Sequence, residues 1–169
     1  MTPAQPMRLR AGSAADFPRL AEIELAAAGL FPSGRIPDEP DTLTTPSLAQ
    51  GVADGLLWVA QQQDQAVGFT LSSQLEGYLH LLELSVHPDW GRQGIGRQLV
   101  AQVLERARGL GLPGVTLTTF RDLPFNGPFY ASMGFVEIPL DQLSPSIADI
   151  LAAEEAAGMV QRIGMLCPI

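Results

Sequence analysis

The chain has 169 residues, of which 46% are apolar and 17% charged, a composition typical of globular domains and outside the range of disordered chains. Ten basic and eighteen acidic residues give a net charge of -8, which argues against nucleic acid or an anionic membrane as a partner. The single cysteine, Cys167, excludes an intrachain disulfide and a cysteine-built zinc site. We therefore expect one domain over residues 1–169, with a loose tail at residues 1–6.

The beginning of the chain has no apolar segment of the kind that directs secretion, and no uncharged apolar stretch reaches about 18 residues. Together with the lone cysteine, this favours a cytoplasmic protein that is neither exported nor membrane-spanning.

The first half of the chain predicts a strand, a helix, a proline-rich loop and an antiparallel set of strands. Apolar residues at helical spacing follow Asp16, a suitable N-cap, until Gly29 and Pro32 end the helix. The run Tyr78–Val86 is too apolar for a one-sided strand, which predicts a central position in the sheet. In order, the predicted elements are a strand at 8–10, a helix at 16–29, a loop or short broken helix at 31–46, and strands at 56–61, 66–72 and 78–86.

The second half begins with a strand, a glycine-rich turn, an amphipathic helix at 95–107 and another strand at 115–120. This order predicts a βαβ crossover with two parallel strands. The remaining predicted elements are a short helix at 129–133, a strand at 135–138, a helix at 145–157 and a closing strand at 161–166.

The turn at residues 91–97 reads Gly-Arg-Gln-Gly-Ile-Gly-Arg and leads into the helix. Unpaired N–H groups and the helix dipole favour an anion at such a helix start, and glycines allow it to approach closely. A P-loop is excluded because Arg97 and Gln98 stand where it needs Lys and Ser or Thr. A dinucleotide fingerprint is excluded because Leu99 occupies its third glycine position. A pyrophosphate site and a tight turn that binds nothing remain as alternatives.

The context of this turn is specific. Val86-His87-Pro88 followed by Arg92-Gln93-Gly94-Ile95-Gly96-Arg97 and an apolar helix closely resembles motif A of the GNAT superfamily of acyl-CoA-dependent N-acetyltransferases. The segment Phe129–Phe135, which reads Phe-Tyr-Ala-Ser-Met-Gly-Phe, resembles the family's later Y-x-x-x-G-F motif. The order of elements from Arg8 to Leu166 also resembles the family's fold.

The resemblance implies a mixed α/β fold, with a mostly antiparallel sheet that is splayed at its fourth strand and flanked by helices. It implies that the main chain of Leu84, Ser85 and Val86 pairs with the pantetheine arm of acetyl-CoA, and that the amides of Arg92, Gln93, Gly94, Ile95, Gly96 and Arg97 hold the pyrophosphate. The chain departs from the family pattern at Gly91, where a Gln or Arg is usual. The asparagine that often precedes the family's tyrosine by seven positions is Leu123 here, and the nearby Asn126 is a candidate to replace it.

Two residues are candidates for catalysis. The resemblance implies that Tyr130 is the acid that protonates the departing thiolate, and the alternative is an aromatic ring that only packs. Glu83 is the candidate base, because a carboxylate in an apolar central strand is costly to bury and burial raises its pKa. Its alternative is a carboxylate paired with a cation or facing solvent. Glu22 and Glu24 are weaker candidates for binding a substrate ammonium.

The resulting prediction is transfer of an acetyl group from acetyl-CoA to a primary amine of a small molecule or peptide, by direct attack in a ternary complex. An acyl-CoA-binding sensor without turnover is the alternative, and a nucleotide-binding domain is a third possibility. We expect no metal, because His80 and His87 lack a third ligand at useful spacing. Family members commonly pair, so a homodimer is a possible assembly. The segments 31–46 and 123–128 are expected to border the acceptor pocket, and their apolar residues favour an apolar or aromatic amine.

Overall fold

The computed structural model describes residues 6–169, so that all of the predicted tail except Pro6 lies outside the described residues. Within this range, seven strands form one sheet flanked by five α-helices. The strands are β1 Arg8–Ala11, β2 Leu57–Gln62, β3 Gln65–Leu75, β4 Tyr78–Val86, β5 Gly114–Phe120, β6 Val136–Glu137 and β7 Arg162–Pro168. The helices are α1 Phe17–Ala28, α2 Thr45–Asp54, α3 Ile95–Gly109, α4 Gly127–Ala131 and α5 Pro145–Ala156.

The sheet has the strand order β1-β2-β3-β4-β5-β7-β6. Its neighbouring strands are antiparallel except β4 and β5, which are parallel and joined by α3. The predicted βαβ crossover and the predicted fold class are therefore confirmed. No helix among residues 6–169 combines the length and the apolar character needed to cross a membrane.

The two faces of the sheet bury different helices. Leu57 and Val59 on β2 pack in one apolar cluster with Leu20 of α1 and Leu48 of α2. Ala60, the next residue along β2, packs with the first turns of α3 instead. Successive strand residues point to opposite faces, so this change of partner places α1 and α2 on one side of the sheet and α3 on the other.

The helix α2 was not predicted. Pro46 suggested loop, but it lies in the first turn of α2, where proline is favoured. The hydroxyl of Thr44 accepts the N–H of Ser47 at 3.3 Å, and Gly55 ends the helix in the left-handed conformation. The predicted loop at 31–46 therefore ends at Thr44.

Asp16 was predicted to cap α1, and it does so by position only. Its carboxylate makes no side-chain cap bond to the helix. It instead accepts two hydrogen bonds from the Arg10 guanidinium, at 2.8 and 2.9 Å, and one from the Ser13 N–H. The hydrogen bonds from Arg10 are the main reason that the pKa of Asp16 lies below its usual value. This residue therefore ties β1 to the start of α1.

Candidate active site

The strand β4 is open toward β5 over residues 81–86. Its pairing with β5 involves only Leu79 and His80 in the described residues. On its other side β4 pairs with β3, and the register skips Leu82, which is the extra residue of a β-bulge and is 45% exposed. Residues 84–86 stay paired with β3. Their other edge, toward β5, has no partner strand in the described residues, because the pairing with β5 stops at His80. These are the residues for which the family resemblance predicted main-chain pairing with the pantetheine arm.

The glycine turn before α3 presents its main chain to solvent. Gly94 is left-handed with a φ of +80°, and a Cβ built on it would meet no atom within 4 Å. The first hydrogen bond of α3 is donated by Gln98 to the carbonyl of Gly94 at 3.1 Å, so the N–H groups of residues 95–97 precede the helical ladder. Residues 91–94 are exposed. The protein's own side chains therefore leave room for an anion at this helix start.

The side chains of the two arginines of the turn, Arg92 and Arg97, differ in their contacts. The Arg97 guanidinium donates a hydrogen bond to the Ser132 hydroxyl at 3.0 Å and lies 5.8 Å from the centre of the Phe129 ring. It therefore joins α3 to the end of α4. Arg92 is exposed and has a left-handed backbone, with a φ of 60°.

Glu83 is partly buried on β4, directly after the bulge. Its Oε1 atom accepts a hydrogen bond from the Ser85 hydroxyl at 2.7 Å. Burial raises the pKa of Glu83 to about 7, with a smaller upward effect from Glu24 and opposing effects from Ser85 and Arg162. Glu83 takes no part in the seven ion pairs found within residues 6–169, so the alternative of a carboxylate paired with a cation does not hold there.

Tyr130 is 8% exposed, lies on α4 and belongs to one apolar cluster with Leu81 of β4, against which Leu84 also packs. Its ring makes edge contacts with Phe129 at 5.1 Å and Phe135 at 5.6 Å, so the ring does pack in the core. Its hydroxyl forms no hydrogen bond with any residue that the structure describes. Burial, followed by the charge of Glu83, raises the pKa of Tyr130 above its ordinary value. The hydroxyl is thus protonated throughout the neutral range.

The position of α4 depends on a close contact with the end of β5. A Cβ on Gly127 would lie 2.8 Å from the carbonyl oxygen of Arg121 and 3.0 Å from that of Phe120. Only glycine allows this approach. Asn126 precedes α4, where its Nδ2 donates to the carbonyl of Phe125 at 3.1 Å and its buried Oδ1 has no partner among residues 6–169.

The loop after α1 is fastened to the segment after β5. Arg35 donates two hydrogen bonds to Asp122, at 2.6 and 3.0 Å, and lies 4.8 Å from the centre of the Phe120 ring. Phe31 contacts Phe125 at 5.0 Å between ring centres. A recess of about 290 Å³ lies between this loop and the end of α1, lined by apolar residues such as Leu25, Phe31 and Ile36 and by the polar residues Ser33 and Asp38.

The two acidic candidates on α1 have different surroundings. Glu22 is exposed and pairs with Arg19. Glu24 is partly buried, and its two oxygens accept the N–H of Leu43 at 3.1 and 3.2 Å. Burial raises the pKa of Glu24, and its charge in turn raises that of Glu83. Of the two, Glu24 is therefore the one whose charge acts on Glu83.

The histidines are engaged by the protein. His80 is buried, its Nδ1 lies 2.8 Å from the Thr116 hydroxyl, and burial lowers its pKa to about 4. His87 Nδ1 accepts the N–H of Asp89 at 3.1 Å. The part of the chain that the structure describes contains no cluster of three or more potential metal ligands.

Sequence reasoning missed an ion pair between Arg162 on β7 and Glu154 on α5. Arg162 also donates to the Thr118 hydroxyl at 3.2 Å and lies 4.5 Å from the centre of the Phe120 ring. Its charge lowers the pKa of both Glu83 and Tyr130. No local sequence pattern indicates that Arg162 lies near Glu83. Only the pairing of β7 with β5, in which Arg162 is opposite Phe120, could have indicated its position.

A family model described as an acetyltransferase (GNAT) domain matches residues 53–137, about half of the 169-residue chain. The chain belongs to the GNAT acetyltransferase family. The matched range includes the open strand, the glycine turn and Tyr130. Membership identifies the chain as an N-acetyltransferase with acetyl-CoA as its cosubstrate, and so favours an enzyme over a sensor.

Solved structures with low sequence identity share this fold. A GNAT-family acetyltransferase from Staphylococcus aureus Mu50 matches with a TM-score of 0.74 and 18% identity, over 96% of this chain and 99% of that one. The ribosomal-protein-S18-alanine N-acetyltransferase of Escherichia coli matches with a TM-score of 0.68 and 18% identity, over 97% and 94%. N-acetylglutamate synthase from Neisseria gonorrhoeae, complexed with coenzyme A and N-acetyl-glutamate, matches with a TM-score of 0.73 and 15% identity, over 97% of this chain but only 35% of the synthase. The present chain therefore spans about a third of the synthase.

Proposed function

We propose that this N-acetyltransferase transfers the acetyl group to a primary amine of a small molecule or peptide, by direct attack in a ternary complex. The observation that carries the proposal is the partly buried Glu83, with a pKa of about 7, on the open part of β4, where its charge acts on Tyr130. A base and an acid of well-separated pKa next to one cleft are what aminolysis of a thioester needs. The proposal includes a single N-acetyltransferase domain over residues 1–169.

Glu83 is the proposed base. Amine attack requires loss of a proton from the nitrogen. A carboxylate with a pKa of about 7 is charged in about half of the protein molecules at pH 7, and it is more basic than an ordinary carboxylate. As the C–N bond forms and the C–S bond breaks, the amine proton passes to Glu83, directly or through water.

Tyr130 is the proposed acid. Its hydroxyl has no hydrogen-bond partner among residues 6–169, which leaves it available to a ligand in the cleft. Its raised pKa keeps the hydroxyl protonated until the thiolate departs. As the C–S bond breaks, the proton passes to the sulfur, and the phenolate regains a proton from the protonated Glu83 through solvent.

The cosubstrate residues are proposed from the same geometry. The main chain of Leu84, Ser85 and Val86 would pair with the pantetheine arm along the open edge. The amides of residues 92–97 would hold the diphosphate at the start of α3. The buried, unpartnered Oδ1 of Asn126 would accept a hydrogen bond from the arm.

The acceptor is proposed to carry an apolar or aromatic group. The apolar side chains around the recess of about 290 Å³ beside the loop after α1, among them Phe31 and Ile36, support this choice. The names of the matched enzymes include a ribosomal-protein alanine and N-acetylglutamate, which supports both a peptide and a small molecule as classes of acceptor. We further propose a cytoplasmic location and leave a homodimer as a possible assembly.

Thiolate release from acetyl-CoA with a panel of amines and N-terminal peptides tests the proposal. We expect turnover with at least one apolar primary amine and intersecting initial-rate patterns when both substrates are varied. Parallel patterns would contradict direct attack. Tight coenzyme A binding without turnover on any amine would instead favour a sensor. The same assay tests the base with the variant Glu83→Gln. Its matched control is Glu22→Gln, because Glu22 lies outside the site on the exposed face of α1.

A further inference from the structure

The hydroxyl of Ser85 has no function in the proposed cosubstrate site. The main chain of Ser85 pairs with Phe69 of β3, and any residue could supply these groups. The side chain, in contrast, is buried at 5% exposure. A buried hydroxyl is costly unless it is hydrogen-bonded, so its partner indicates what the serine does.

That partner is Glu83. The two residues lie two positions apart on β4, in the regular stretch that follows the bulge, so their side chains share one face of the strand. The Ser85 Oγ donates to Glu83 Oε1 at 2.7 Å, and this is the one hydrogen bond to the Glu83 carboxylate among residues 6–169. The bond holds Oε1 and leaves Oε2 without a protein donor.

The other charged and titratable groups around Glu83 come from α1, β7, α5 and α4. Glu24 on α1 disfavours the carboxylate form, and Arg162 on β7, itself paired with Glu154 on α5, favours it. Tyr130 on α4 is neutral in this range, because its pKa is raised. Among the influences that favour the charged form of Glu83, the hydrogen bond from Ser85 is larger than the charge of Arg162.

We propose that Ser85 is a positioning residue for acetyl transfer, whose hydroxyl fixes one carboxylate oxygen of Glu83 and turns the other toward the proton of the acceptor amine. The inference rests on the proposed role of Glu83 as the base. Ser85 acts only through Glu83 and does not itself touch the reacting atoms.

The test is the pH profile of kcat/KM for the amine, between about pH 5.5 and pH 9. We expect the wild-type profile to rise through a pH of about 7, where Glu83 loses its proton. Ser85→Ala removes the donor, so the rise should move about one pH unit higher and the rate at pH 7 should fall about 5-fold. The KM for acetyl-CoA should not change, because the main chain is retained. Ser85→Thr keeps the hydroxyl and should restore the profile toward wild type.

A double-mutant cycle with Glu83→Gln separates this inference from the function on which it rests. We expect Ser85→Ala to have no further effect on kcat in the Glu83→Gln background. If Glu83→Gln alone retains wild-type activity, the proposed base is wrong and the inference fails with it. If Glu83→Gln is impaired but Ser85→Ala keeps the wild-type pH profile, or costs as much in both backgrounds, only the inference on Ser85 is overturned. Should Ser85→Ala fail to fold, Ser85→Cys, a weaker donor of similar size, is expected to shift the profile in the same direction, and an unshifted Cys profile overturns the inference.

Discussion

The Glu83 carboxylate is held between opposing influences. Burial and the charge of Glu24 raise its pKa, while the Ser85 hydroxyl and Arg162 lower it, and the balance is a pKa of about 7 against an ordinary value of 4.5. Because its pKa is higher in the folded protein than in the unfolded chain, the charged form of Glu83 lowers the free energy of unfolding.

Glu83→Gln should therefore stabilise the protein in a pH-dependent way. Between pH 4.5 and about 7 the folded state binds more protons at Glu83 than the unfolded state does, so the free energy of unfolding of the wild type falls as the pH rises through this range. The variant should match the wild type near pH 4.5 and be more stable by about 1–3 kcal/mol above pH 7. Urea unfolding of both proteins across this range measures the difference.

The same series with Glu22→Gln is the control, because Glu22 is exposed. Its difference from the wild type should stay flat across the range. A stability gain for Glu83→Gln that does not depend on pH would mean that the carboxylate is solvated in the folded protein.

Tyr130→Phe separates the packing of the ring from the function of the hydroxyl. The hydroxyl has no hydrogen-bond partner within residues 6–169, whereas the ring contacts Phe129 and Phe135, so removing the oxygen should leave the melting temperature unchanged. We expect kcat to fall about 100-fold with little change in the KM for acetyl-CoA. Steady-state kinetics and a melting curve test this. Equal losses in kcat and in cosubstrate affinity would assign Tyr130 to packing alone.

At the scale of single elements, α3 and its turn contain the part of the site that is easiest to disrupt without unfolding the protein. A side chain at position 94 has open space, because a Cβ there meets nothing within 4 Å, but the left-handed backbone makes it costly for most residues.

Gly94→Glu should abolish binding of coenzyme A, because it puts a negative charge where the diphosphate is expected. Gly94→Asn is the matched control, since asparagine tolerates the left-handed conformation and carries no charge. We expect at least about a 100-fold larger loss of affinity for the glutamate variant than for the asparagine variant, measured by calorimetry. A folded Gly94→Glu protein that binds coenzyme A like the wild type would refute the proposed diphosphate site.

The elements that could be predicted closely are those with strong boundaries. The strand Tyr78–Val86 agrees with its prediction at both ends, and α3 begins at the predicted Ile95, because Pro88 and the glycines around residue 94 permit few other structures. The helix α2 was missed since Pro46 occurs both in loops and in the first turn of helices. The short helix α4 starts two residues earlier than predicted, at Gly127, because its start is set by close contact with β5.

At the scale of the whole molecule, the site combines residues that local sequence can indicate with others that it cannot. The glycine turn, Glu83 and Tyr130 belong to segments with recognisable patterns. Glu24 and Arg162 come near Glu83 only because α1 packs on the sheet and β7 inserts between β5 and β6. Glu24 and Arg162 are far from Glu83 along the chain, so only the tertiary fold brings the three residues together. The predicted domain boundaries stay a prediction.

The opening between β4 and β5 also matters for the protein when it is empty. An unpaired strand edge can recruit a strand of another molecule, and this is a common start of aggregation. Beyond His80, the edge of β4 that faces β5 is unpaired in the described residues, with the exposed Leu82 beside it. The ligand-free protein is therefore the form most exposed to intermolecular strand pairing in concentrated or heated solution, and a cosubstrate bound along this edge, as proposed above, would cover it.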